Sequence, residues 1–258
     1  MRYFIFFVFS FLFSNEIQSN FKNEIGVFKN YKYIHSEQFE ISSYPIYFFV
    51  IPNINVRHRY NNTKASDYLH EKIHSNLYSN HSFFIPTVLL NAVKKEGMMG
   101  IVSPELNDFP FMIAIKNEIE IFKEKENYNF NFKIGMTYGY SAKKLDDPRY
   151  EIDLPIIYPR MKVFYTNSNY NINSFIGYDY KVNEKLTLFS NLGVIFYPNE
   201  NHNFHVENKS FIIWNYSKKV KIKTGYKLVY GEYPFGNKVH LLPFNILPVP
   251  LFDITWSW

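Results

Sequence analysis

The stretch "NYNFNFKIGMTYGYS", Asn127 to Ser141, alternates without a break. Tyr128, Phe130, Phe132, Ile134, Met136, Tyr138 and Tyr140 fall on one parity. Asn127, Asn129, Asn131, Lys133, Gly135, Thr137, Gly139 and Ser141 fall on the other. A period of two is the signature of a β-strand with one apolar and one polar face. Strands of soluble proteins are commonest at about five or six residues, whereas crossing a bilayer at a tilt takes about 9–11. This run is long enough to cross.

The pattern recurs. "KLTLFSNLGVIFY" (Lys185 to Tyr197), "VKIKTGYKLVY" (Val220 to Tyr230), "NYNINSFIGYDY" (Asn169 to Tyr180) and "FMIAIKNEIEIFK" (Phe111 to Lys123) each divide into an apolar and a polar face. Polar clusters such as "KEKEN", "KKLDDPRY", "TNSN", "KVNEK" and "PNENHN" separate them and read as turns. Two architectures accommodate such strands. A soluble sandwich hides the apolar faces and wets the polar ones. A membrane barrel does the reverse, with lipid outside and a wet lumen inside. Strand length and the Tyr and Phe residues flanking several strands, as aromatic girdles would, favour the barrel.

Composition agrees but does not decide. Aromatic residues make up 20% of the 258 residues, yet mean hydropathy is −0.24, so apolar and polar side chains must be interleaved. Phe, Tyr, Asn, Lys and Ile also rise together in AT-rich coding sequence. There is no cysteine, which excludes disulfides, cysteine-ligated zinc, thiol catalysis and a lipoprotein anchor. The net charge of +5 is spread among scattered lysines, and "KKVKIK" (Lys218 to Lys223) alternates like a strand. No nucleic-acid partner is expected.

At the N-terminus, "MRYFIFFVFSFLFSNEIQSN" places Arg2 before an apolar run from Phe4 to Phe13. That run has the length of a signal-peptide core and is too short to span a bilayer. Residues 1–19 are therefore read as a signal peptide, with cleavage after Ser14 or Ser19, and residues 20–258 as one barrel domain.

At the other end, "LFDITWSW" puts Phe252, Ile254, Trp256 and Trp258 on one face and Asp253, Thr255 and Ser257 on the other. This terminal aromatic strand, joined to an export signal and repeated long amphipathic strands, resembles the bacterial outer-membrane β-barrel proteins. No particular subfamily is indicated, and the 10 glycines are few for such barrels. The resemblance implies that the last strand closes against the first. It also implies that Phe252, Ile254, Trp256 and Trp258 are the signal read by the outer-membrane assembly machinery.

The first third is less regular. "NEIGVFKNYKYI" (Asn23 to Ile34) and "FEISSYPIYFFVIPNINVRHRY" (Phe39 to Tyr60) read as two or three strands. Residues 61–110 are hardest to assign: Asn61 to Ser82 reads as a loop or short helix, and Val88 to Lys95 as helix or strand. "HEKIH" (His70 to His74) matches the zincin spacing, in which His70 and His74 share a helix face and Glu71 polarises a metal-bound water. Ser66 or Asp67 would cap that helix, and only His81 lies nearby as a third ligand. His81 and Ser82, adjacent in sequence, would point to opposite faces if extended. "NENHNFHVEN", with His202, His205 and Glu207, reads as a surface loop.

The expectation is an all-β, antiparallel transmembrane β-barrel of about ten to twelve strands in the outer membrane, in contact with outer-membrane lipid. Its role would be structural or that of a small-solute pore, with no cofactor and no assigned catalytic residue. The alternatives are a barrel enzyme acting on envelope lipid and a soluble secreted β-sandwich that binds a ligand.

Overall fold

The structure is a computed structural model that describes residues 23–26, 31–44, 48, 51–61, 63–88, 90–91, 108–143, 145, 158–166, 168–198, 200, 203–232, 239–240 and 249–258. The signal-peptide reading, most of "KKLDDPRY", most of Val88 to Lys95, and His202 lie outside these residues.

The strands are β1 (Asn23–Gly26), β2 (Tyr31–Ile34), β3 (Phe39–Ser43), β4 (Asn53–Arg59), β5 (Asn76–Phe84), β6 (Met112–Glu124) and β7 (Tyr128–Ser141). They continue as β8 (Tyr170–Lys181), β9 (Leu186–Phe196), β10 (Phe204–Asn215), β11 (Val220–Glu232), β12 (Val239–His240) and β13 (Val249–Ser257). Each pairs antiparallel with its neighbour, β13 closes on β1, and β12 only extends the far end of β11. The result is a closed 12-strand transmembrane barrel, at the upper end of the expected number.

The turns explain which end is which. At one end β6–β7, β8–β9 and β10–β11 are joined by tight polar hairpins, where Lys125 N–H donates to Tyr128 O (2.9 Å) and Val182 N–H to Leu186 O (2.9 Å). Asn183 Oδ1 accepts from the Lys185 and Leu186 amides, 2.9 Å each, so the side chain holds the turn that "KVNEK" forms. The connections β5–β6, β7–β8 and β11–β13 are longer and lie at the opposite end, whereas the long β4–β5 connection is at the hairpin end.

Alternation sorts the side chains as the barrel requires. Ile115, Ile119, Ile134, Ile176, Leu192 and Ile212 are exposed on the outside, forming an apolar band. Tyr128, Tyr180, Trp214 and Trp256 flank the band at the hairpin end, and Tyr138, Tyr140, Tyr170 and Phe204 at the loop end. Such girdles place amphipathic rings at the two bilayer interfaces. The polar parity of "NYNFNFKIGMTYGYS" faces inward, with Asn129, Lys133 and Thr137 buried.

The terminal strand closes the ring. Trp256 pairs with Ile25, and the backbones of Asn23 and Trp258 exchange two hydrogen bonds of 3.1 and 3.0 Å. Phe252, Ile254, Trp256 and Trp258 all sit on the outward face.

Two strands escape sequence reading. Asn76–Phe84 begins inside the stretch Asn61 to Ser82 read as loop or helix, and Phe204–Asn215 begins inside "NENHNFHVEN". His205 and Glu207 are thus not loop residues: both lie on β10, buried on the inward face. The alternation of β10 is masked because Asn208 and Ser210 occupy its lipid-facing side. There they satisfy one another and their neighbours: Ser190 Oγ lies 2.9 Å from Ser210 Oγ, and Asn208 Nδ2 donates to Asn191 O (3.0 Å).

Candidate functional site in the barrel lumen

The inward face is dense with charge. Among the described residues, inward-facing cations on the strands (Lys32, Arg57, Arg59, Lys116, Lys133, Lys209, Lys221, Lys223, Lys227) outnumber the carboxylates (Glu24, Glu40, Glu118, Glu120, Asp179, Glu207, Asp253). The alternation that turns apolar residues toward lipid necessarily delivers these groups to the lumen.

Along one arc the charges form a chain. Lys32 Nζ lies 2.9 Å from Glu40 Oε2, and Arg57 links Glu40 (3.9 Å) to Glu120 (3.1 Å). Lys133 Nζ reaches Glu120 at 3.5 Å, and Asn80 Nδ2 donates to it at 3.0 Å. The Arg57 guanidinium stacks on Tyr78, 3.8 Å from the ring centroid. Each member is supported by a neighbour on another strand, so this wall is fixed.

Between β7 and β8 the chain turns inward. A helical turn, Tyr158–Met161, runs into a 3-10 turn, Lys162–Phe164, and Met161, Lys162, Val163 and Phe164 are all buried. The segment is pinned to several strands. Tyr197 Oη donates to Pro159 O (2.6 Å), the Phe84 and Phe164 rings meet edge to face at 6.1 Å, and Lys162 Nζ sits 5.0 Å from the Tyr197 ring. Arg160 pairs with Glu207 through two contacts, Nη2 to Oε2 and Nε to Oε1, the latter at 3.3 Å. Lys227 Nζ joins Glu207 at 3.3 Å.

Gly139 makes the seat for this segment. A Cβ there would meet Val163 O at 2.7 Å and Val163 Cγ1 at 2.8 Å. Gly139→Val is therefore expected to lower stability by about 1–3 kcal/mol through overpacking, read from denaturant unfolding of the folded barrel. Unchanged stability would show that the segment is not seated on Gly139.

His70 and His74 lie elsewhere. Helix α1 (Lys64–Ile73) connects β4 to β5 at the hairpin end and is largely exposed. Its N-cap is Thr63, whose Oγ1 accepts from the Ser66 amide at 3.1 Å, in place of Ser66 or Asp67. His74 is the C-cap, in the left-handed region at φ 48°, so the helix stops one residue before the second histidine. The rings still approach, with centroids 6.3 Å apart. His81 is on β5, facing outward and bonded to Asn117 Oδ1 (2.8 Å), while Ser82 faces the lumen. Among the described residues no three metal-ligating side chains gather.

The lumen residues Arg160 and Glu207 were not singled out by sequence reading as a pair. Arg160 lies in a stretch with no periodicity, and Glu207 lies on the strand whose pattern Asn208 and Ser210 obscure.

No protein-family model matches the sequence, and no curated protein matches it. Among solved structures, the chain is similar to the outer-membrane expressed OmpT of Vibrio cholerae, with 8% identity, TM-score 0.42, and coverage of 89% of this chain and 64% of that one. It is similar also to the in-vitro folded trimer form of that outer-membrane protein, with 7% identity, TM-score 0.44, and coverage of 89% and 64%. This chain spans less than two thirds of the length of those structures.

Proposed function

We propose that the chain is an outer-membrane barrel that passes small solutes through a lumen narrowed by the segment 158–164. The observation that carries this reading is the contrast between the two faces of the wall. The outside is a mainly apolar band, broken by His81, Asn117, Asn208 and Ser210, while the inside sets lysines, carboxylates and amides among buried apolar side chains such as Met112, Phe175 and Ile213. The charged and amide groups of this lining hold water in the lumen, and the inward segment, whose Met161, Val163 and Phe164 are buried, narrows that path.

Planar-bilayer recording of the purified, folded protein tests the pore role. Discrete conductance steps are expected; a silent bilayer containing correctly folded barrel would leave only a structural role.

The destination in the outer membrane carries its own expectation. Trp258→Asp places a carboxylate on the lipid-facing side of the closing strand and removes the terminal aromatic read by the assembly machinery. Loss of most heat-modifiable protein from the outer-membrane fraction is the expected outcome, seen as loss of the faster band in unheated gel samples. Normal insertion of the variant would refute the terminal-strand reading.

A further inference from the structure

Lys209 stands out within the lumen. Its side chain is on the inward face of β10, the residue is 8% exposed, and Nζ has no hydrogen-bond partner. Its ammonium lies 5.1 Å from the centroid of the Phe211 ring. Directly across the ladder on β11 stands another lysine, Lys227, and on the β9 side Asn191. The carboxylate next along its own face, Glu207, is already engaged by Arg160 and Lys227.

A buried ammonium facing a second ammonium is unfavourable on two counts. Like charges directly opposite in an antiparallel pair repel, and a charge removed from water without a counter-charge is expensive. Glu207, the next carboxylate along this face, divides its charge among Arg160 and Lys227 as well.

We propose that Lys209, with Lys227 and Asn191 beside it, forms a binding station for a small oxyanion. The class follows from the donors. An ammonium offers three N–H groups with no fixed plane, and the Asn191 amide adds two more. A compact anion with several acceptor oxygens, such as a phosphate, accepts from all of them at once, which a halide does less well.

The inference concerns the contents of the same lumen and rests on solute reaching it. Its test is separate from conductance. The folded full-length barrel in detergent is titrated calorimetrically with inorganic phosphate at neutral pH, in chloride-free buffer. One phosphate per barrel is expected, weakened at least about tenfold by Lys209→Met and not by Lys181→Met at the hairpin rim. Lys209→Met exchanges a buried charge for an apolar chain of similar length, and the unheated gel shift reports that it has folded. Absence of heat in the wild type, or equal binding by the two variants, overturns the station. Chloride displacing phosphate at equal concentration overturns the oxyanion preference. Phosphate binding without current retains the station and removes the pore; current without phosphate binding does the opposite.

Discussion

Glu207→Gln is expected to destabilise the folded barrel by about 3–5 kcal/mol, the range for breaking a buried ion pair by removing one partner. Glu207 is 4% exposed and is the carboxylate to which both Arg160 and Lys227 turn. Glutamine preserves shape and one acceptor oxygen, but it leaves two cations facing each other, with Lys209 one ladder step away. The inward segment loses its electrostatic tether at the same moment. Guanidinium unfolding in lipid vesicles measures the loss. Adding Arg160→Met to Glu207→Gln should recover part of it, since the two residues share one network and their effects do not add. A Glu207→Gln barrel as stable as the wild type would mean that water, and not protein, solvates these cations.

Ile119→Arg should cost about 2–4 kcal/mol by the same measurement, the range for a basic side chain at the bilayer midplane of a barrel's lipid face. Ile119 lies near the middle of β6, is 55% exposed and is flanked in register by Ile134 on β7. On either side of it along the strand, Glu118 and Glu120 are buried in the lumen. One step along the chain therefore reverses the chemistry a position demands. Ile119→Leu, which keeps the apolar surface, should stay within about 1.5 kcal/mol. If arginine were tolerated equally well at Ile119, that face would not meet hydrocarbon.

These two positions mark how far the sequence could be read. Around Ile119 the period of two is unbroken, so strand, face and environment follow from order alone. Along β10 the inward side carries His205, Glu207 and Lys209, while the outward side carries Asn208 and Ser210 amid apolar residues. With polar groups on both faces, the pattern that reveals a strand vanishes, and the strand bearing Glu207 went unrecognised. The first strands are legible as strands, but the two or three expected are four, because Asn23 to Ile34 holds both β1 and β2. The segment 158–164 has no periodicity because tertiary contacts to Gly139, Tyr197 and Glu207 hold it, and local sequence says little about such contacts. His70 and His74 illustrate the converse: a spacing that local sequence made prominent falls across a helix end, where the chain changes direction.

The wall is uneven around its circumference. β6 and β7 are joined through thirteen register pairs, from Met112–Ser141 to Glu124–Asn129. β1 meets β13 through three pairs and β2 through two. Among the described residues, β1 is thus held to its two neighbours by fewer pairs than any other strand of the wall. Over its outer face the rings of Tyr31 and Trp258 approach to 6.4 Å, so side chains bridge from β2 to the end of β13 where the ladder is short. The aromatic terminus is thus a mechanical fastening as well as an interface anchor.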